Sequence, residues 1–481
     1  MDPIVIGREE FRDKVFACWL GKNIGGTLGA PVECLRHTHA LEFYDPVPEK
    51  AAPNDDLDLQ LVWLKLLEDQ GIDPSVRQFA EYWSRHAASY PWNEYGFFMR
   101  NFSRGLRPPV AGCFENYFVD EMGSPIRSEI WACLHPGDPQ SAARMAWKDS
   151  ALDHAGGEGM YGEMFWAALQ SAAFVEEDPL TLIRIGLAAI PLSSHVARSI
   201  REAFWCHQNG KSWGVARERI ASRFGGIQPC NAVPNHGFTL IGWLYGKDFG
   251  DKLCKAVNCG YDTDCTAATL GALLGILDGT RGIPGRWQEP VGTGITLHRF
   301  TRGLRAPADI DELTDRTVAL AEKVASASPE RTFGTATRLP KDLRTRLFRN
   351  HLARAALAQD IHAGIELCDG KEVVLHYGGE PVLRPGIGRE VRVTVGGEER
   401  ASVRISVPAG WSCEPLGAAR FLLFSPGPVA DRNVLVVTLE DGQQVDFVVL
   451  GPREAQGFPA GDNVPACPKC HARTEACICG E

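Results

Sequence analysis

The sequence predicts a mainly α protein. An all-helical domain is expected over residues 1–345, a helical linker over 346–365, a small antiparallel β-sandwich over 366–455, and a Pro/Gly-rich and Cys-rich tail over 456–481. Three observations carry that expectation. From Arg8 to about Leu357, apolar residues recur at helical spacing, punctuated by Gly and Pro, with few β-branched clusters. From about Lys371 the period becomes two: Val373, Leu375 and Tyr377 alternate, as do Val391, Val393 and Val395, and Val403, Ile405 and Val407. Phe421–Phe424, Val434–Leu439 and Val445–Leu450 follow, separated by turn signals such as Gly396-Gly397 and Asp441-Gly442, so five or six short strands are expected. After Gly451 the periodicity ends, and four cysteines cluster in the last residues.

Composition narrows the classes. A chain of 481 residues is too long for one ordinary domain, and 44% hydrophobic with 23% charged residues is a globular balance. A net charge of −10 argues against a nucleic-acid-binding surface. Met1 to Glu10 carry no basic segment followed by an apolar one, and no run of about 20 apolar residues exists. Neither a signal peptide nor a membrane span is therefore expected. Fifteen cysteines without a secretory signal read as reduced thiols in a cytoplasmic protein.

The helical text opens with Phe11–Leu20, an amphipathic pattern that runs into Gly21-Lys22-Asn23-Ile24-Gly25-Gly26-Thr27-Leu28-Gly29-Ala30-Pro31-Val32-Glu33. Gly21, Gly25 and Gly29 recur every fourth residue and share one helix face, where another backbone can approach closely. The Gly-Lys-Ser/Thr ending of a phosphate-binding loop is missing. Next come Pro53-Asn54-Asp55-Asp56 and an apolar helix. One Asp would cap that helix. Two adjacent carboxylates repel and are expensive to bury unless a cation or hydrogen bonds offset them.

Asp149 to Phe165 form a polar, Gly-rich break before another apolar helix, offering Asp153, His154, Glu158 and Tyr161 for substrate contacts. Asn235-His236-Gly237 is a weaker break of the same kind. Asn258-Cys259-Gly260-Tyr261-Asp262-Thr263-Asp264-Cys265-Thr266 then leads into a helix rich in Ala, Leu and Gly. Either Asp or Thr would cap this helix, so the second carboxylate is surplus to structure. Two acidic clusters at helix starts, about 200 residues apart, can converge on one site. Four carboxylates suit Mg²⁺ or Mn²⁺ better than zinc. The tail differs. Cys467-Pro468-Lys469-Cys470 with Cys477-Ile478-Cys479 is expected to hold Zn²⁺. Cys18, Cys34, Cys113, Cys133, Cys206, Cys254 and Cys259 sit in apolar text and are expected in the core.

In this order, the Gly-rich segment ending at Glu33, Asn54-Asp55-Asp56, the His154 region and Gly260-Tyr261-Asp262-Thr263-Asp264 resemble the ADP-ribosylglycohydrolase family over roughly residues 10–325. The resemblance implies an all-α fold with a two-magnesium centre. It places metal ligands at Asn54, Asp55, Asp56, Asp262 and Asp264, and implies catalytic roles for Asp55, Asp56 and Asp264, with Glu33 assisting proton transfer. His154, Glu158, Tyr161 and Gly260 would contact a small or protein-linked ADP-ribose or riboside. Water would attack the anomeric carbon of a ribosyl N- or O-glycosidic bond. Three positions depart from the family pattern. Asn54 and Cys265 replace hydroxyl residues, and Gly26 stands where many members carry an acid. Two alternatives go with the resemblance: a non-catalytic ADP-ribose-binding or crystallin-like structural protein, and a hydrolase using Cys265 as nucleophile.

Overall fold

The computed structural model describes residues 2–400 and 402–452, so the four tail cysteines and their expected zinc lie outside the described residues. The helical text folds as helices. Arg8–Gly29 is a single helix of 22 residues, and the small-residue stretch forms the helix Thr263–Asp278. These two helices pack backbone against backbone, because glycine faces carbonyl along the seam. A Cβ on Gly21 would lie 2.1 Å from the Gly271 carbonyl oxygen, one on Gly25 2.0 Å from that of Ala267, and one on Gly29 2.2 Å from that of Thr263. The pattern is reciprocal, since a Cβ on Gly275 would lie 2.1 Å from the Ala17 oxygen. Absent side chains therefore let backbone meet backbone, at the expense of helix propensity.

The pair is wrapped by Asp55–Gln70, Glu158–Ala173 and Ala232–Tyr245, helices whose residues are mostly buried on every side. Beside them Trp63, Phe79, Trp83 and Trp131 form an aromatic cluster. Arg127 lies 5.3 Å from the Trp83 ring centre and is fully buried. A buried guanidinium needs counter-charge, and Arg127 has it from Asp149 at 2.8 Å and Asp153 at 2.9 Å.

The helical body is closed by a feature that periodicity did not reveal. Ile4–Gly7 pairs in parallel with Arg331–Gly334, tying the two ends of the body together. Residues 346–365 contain the helix His351–Leu357, which packs on Pro139–Ser150, and the first residues of a strand.

The chain beyond is antiparallel sheet. One sheet has the order Ala363–Cys368, Lys371–His376, Arg389–Val395, Arg420–Phe424, Ser412–Gly417; the other has Gln444–Leu450, Arg432–Thr438, Arg404–Ser406. Alternation puts Val373, Leu375, Val391 and Val393 of the first and Leu435, Val437 and Phe447 of the second in the core. Tyr377 Oη donates to the Val448 carbonyl at 2.9 Å and joins the two. Glu366 anchors the sheets to the helical body through Arg77 at 2.8 Å and through Arg107. Ile365 N–H adds a bond to the Pro108 carbonyl at 3.0 Å.

Candidate active-site cleft

The close helix pair has a consequence at its open end. Gly29 seats the C-terminus of the first helix against Thr263, and Thr263 Oγ1 donates to the Gly29 carbonyl at 2.8 Å. Glu33, just past that helix, is thereby brought to Asp262 and Asp264. One oxygen from each of these three carboxylates lies within 4.8 Å of the others. Asp262 and Asp264 are 1% and 6% exposed, and the Oδ1 of each has no hydrogen-bond partner. Both carboxyls are pushed well above the ordinary carboxylate range, first by burial and then by the charge of Glu33. Glu33 is raised as well, by desolvation and then by Asp55.

The second acidic cluster meets the first. Asn54 caps the helix Asp55–Gln70, its Oδ1 accepting the Asp56 N–H at 2.7 Å. That leaves its Nδ2 over Gly26, 2.3 Å from where a Cβ would stand. The amide of Asn54 thus fills the space that a side chain at 26 would need. Asp55 Oδ2 accepts from Trp92 Nε1 at 2.9 Å and faces the cleft. Asp56 lies beneath it, 1% exposed. Its Oδ2 accepts the Cys265 thiol at 3.4 Å, and its Oδ1 stands 3.4 Å from Lys22 Nζ. Burial raises Asp56 to about 7 against the pull of Lys22.

Lys22 is among the residues sequence reasoning missed. It is 1% exposed, and its ammonium also stands 3.0 Å from Glu129 Oε2. Burial alone would lower its pKa, but Glu129 and Asp56 overcome that and raise it, so the group is charged. The only signal was a lysine inside a glycine-rich, buried helix. Glu94, Glu121, Trp92 and His298 also line the cleft, whose volume is about 440 Å³. Glu121 is raised to about 7, by burial first.

Four residues expected to contact substrate do not reach the cleft. His154 is fully buried, with Nδ1 2.7 Å from Asp153 Oδ1, and belongs to the network around Arg127. Glu158 accepts the N–H groups of His195 and Val196, both at 2.8 Å, and so caps the helix His195–Gln208. Tyr161 is half-buried against the core. Gly260 has φ +75 in a turn packed so closely on residues 35–37 that a Cβ would lie 2.2 Å from the His37 carbonyl. His154 and Glu158 are thus engaged structurally, one as a counter-charge and one as a cap. Cys265 lies in the cleft wall, and burial and then Asp262, Asp264 and Asp56 raise its thiol well above the ordinary range, which opposes the thiolate form. Cys34, expected in the core, is exposed.

Converging carboxylates with unpaired oxygens, at the floor of a cleft between helix ends, make a candidate cation site in a helical protein. The chain belongs to the ADP-ribosylglycohydrolase family, whose model matches residues 7–328. That membership makes it a hydrolase of glycosidic bonds, in a family that is typically metal-dependent. The chain is 27% identical over 303 residues to an uncharacterized protein of Archaeoglobus fulgidus, a match covering 58% of this chain and 91% of the relative. It is also similar to a solved ADP-ribosylglycohydrolase-related protein complex, at 19% identity and a TM-score of 0.46, over 65% of this chain and 98% of the other. No helix among the described residues is long and apolar enough to cross a membrane.

Proposed function

We propose that the protein is a magnesium-dependent hydrolase of a ribosyl N- or O-glycosidic bond, with an ADP-ribosyl adduct or related riboside as substrate. One observation carries the metal: Asp262 and Asp264 each bury an oxygen that no protein donor satisfies, beside Glu33. Buried, unpaired carboxylate oxygens are costly, and a hard cation with oxygen preference removes that cost. Mg²⁺ or Mn²⁺ fits this donor set. Glu33, Asp262 and Asp264 would hold one ion; Asp56 and Asp264, with Asp55 beside them, would hold a second. When bound, such ions supply positive charge to oxygen ligands and acidify water.

The chain's own residues do the rest. Trp92 fixes Asp55 through its indole N–H and lines the cleft. Lys22 holds Asp56 by charge, which limits the repulsion among the acids. Glu121, raised to about 7, is suited to exchange a proton with a leaving group near neutral pH. The volume of about 440 Å³ suits a nucleoside-sized ligand.

The reading is tested by calorimetric titration of Mg²⁺ and Mn²⁺ into the EDTA-treated protein, with hydrolysis of ADP-ribosyl-arginine and simple ribosides measured in parallel. Asp262→Asn should weaken ion binding at least about tenfold, since it removes charge from a shared cation site. Full hydrolysis by the metal-free protein would refute the metal dependence.

A further inference from the structure

Two thiols at the mouth of the cleft have no part in that function, and both stand beside Glu33. Cys34 Sγ and Cys230 Sγ stand 3.8 Å apart, and Glu33 Oε1 is 3.8 Å from Cys34 Sγ. The three ligand atoms converge within 4.8 Å. We propose that Cys34, Cys230 and Glu33 form a separate cation site that takes Zn²⁺ or an ion of similar softness.

Geometry and donor chemistry agree. In a tetrahedral shell with Zn–S bonds of about 2.3 Å, two sulfurs stand about 3.8 Å apart, and a sulfur and a carboxylate oxygen about 3.5 Å. A disulfide would need the sulfurs to close to about 2.05 Å. Two thiolates and one carboxylate select a zinc-like ion over magnesium, because sulfur is a soft ligand. The two groups therefore differ in chemistry: three carboxylates at Glu33, Asp262 and Asp264, and two sulfurs with the Glu33 carboxylate at Cys34 and Cys230.

The donors are held in place rather than drifting together. The Cys34 N–H donates to the Tyr261 carbonyl and the Tyr261 N–H to the Leu35 carbonyl, both at 2.9 Å. The Cys230 carbonyl accepts the Met122 N–H at 2.8 Å. Cys34 is exposed, which gives an ion a way in. Three protein ligands leave the fourth tetrahedral position free for water or substrate, as in zinc sites that do chemistry. Binding would release the thiol protons to solvent. Glu33 belongs also to the Asp262–Asp264 group, so one carboxylate links the two sites.

The test uses the reduced, full-length protein and Co²⁺ as the probe. Thiolate-to-cobalt charge transfer and tetrahedral ligand-field bands should appear, and Zn²⁺ should abolish them. Because the tail cysteines can add a signal of their own, the measurement is a difference between proteins. Cys34→Ser and Cys230→Ser should each weaken the cleft component by more than about a hundredfold, beyond the range for a merely indirect partner. Zinc content should fall by about one ion per chain. Far-ultraviolet circular dichroism should show both variants folded, and Cys34→Ser changes only an exposed residue. Cobalt spectra and zinc content identical in wild type and both variants would overturn the proposal. So would a Cys34–Cys230 disulfide, found by mass spectrometry, in metal-free protein prepared without oxygen. The readout is spectroscopic, so it can fail while the hydrolase reading stands, and the reverse.

Discussion

Gly25→Ala is the sharpest probe of how the fold makes the cleft. The new Cβ would lie 2.0 Å from the Ala267 carbonyl oxygen, 2.3 Å from its carbon and 2.6 Å from the Ala268 nitrogen. All three are backbone atoms inside a helix, so none can rotate aside. A tolerable approach begins near 3.0 Å, so the helices must part by at least about 1 Å, the difference between 3.0 and 2.0. Overpacking of this kind costs up to about 3 kcal/mol, while Ala in place of Gly returns about 1 kcal/mol of helix propensity. A net loss of about 2 kcal/mol should appear in urea unfolding followed by helical signal. The same opening moves Asp262 and Asp264 away from Glu33, so Mg²⁺ binding should weaken, and turnover should fall about a hundredfold for a 1 Å misplacement. Gly96→Ala is the control. Gly96 is exposed in the helix Asn93–Ser103 with nothing within 4 Å of its Cβ position, and Ala should stabilise by about 0.5–1 kcal/mol. If Gly25→Ala keeps wild-type stability and ion affinity, the seam does not set the site.

Lys22→Met should destabilise by about 3–5 kcal/mol, because Asp56 and Glu129 would remain buried without their cation; urea unfolding with and without Mg²⁺ checks this, and divalent ions should restore part of the loss. Asp58, raised to about 7 by burial, accepts from His298 N–H and from the Thr301 and Tyr90 hydroxyls. A raised carboxyl stabilises below its unfolded pKa and loses that contribution as pH rises through its folded one. Stability should therefore fall by up to about 4 kcal/mol between pH 4 and pH 8, as the pH passes from the ordinary aspartate range through the raised value of about 7. Asp58→Asn should flatten that slope in pH-dependent unfolding. Cys265→Thr should tighten Mg²⁺ in calorimetry and Cys265→Ala should be nearly neutral, since oxygen is the harder ligand; loss of all turnover in Cys265→Ala with unchanged ion affinity would instead make the thiol the nucleophile. Gly26→Asp and Asn54→Thr should show a coupling of about 0.5–3 kcal/mol in a double-mutant cycle, because the side chain of one occupies the space of the other.

What could be read from the sequence was local. Helix starts at Asn54 and Asp262, the small-residue faces and the change of period after Lys371 are written within a few residues of where they act. Pairings across long stretches of chain were not legible. The strand Ile4–Gly7 finds Arg331–Gly334, and Cys34 finds Cys230, with nothing in either local pattern to announce the other. The strands Ala363–Cys368 and Ser412–Gly417 also escaped, the second because its residues are exposed or half-buried and carry no alternation. The polar break around His154 misled for a related reason: polarity shows that a residue needs a partner, without saying whether the partner is a substrate or, as here, Asp153.

The departures from the family pattern gain meaning only in three dimensions. Taken singly, Gly26 and Asn54 look like losses, one of an acid and one of a hydroxyl. In space they are one change, because Asn54 both caps its helix and fills the volume that Gly26 leaves open. Relative to an acid at position 26, the pair leaves one negative charge fewer beside the cleft. Lys22 acts in the same direction from below, placing a fixed positive charge on Asp56. With one ammonium built in beside Asp56, Asp262 and Asp264 each still bury an oxygen that no protein donor reaches. Cation demand in this cleft is therefore concentrated at the Glu33–Asp262–Asp264 end. That end should bind its ion more tightly than the Asp56 end, where the carboxylate oxygens already have Lys22 and Cys265.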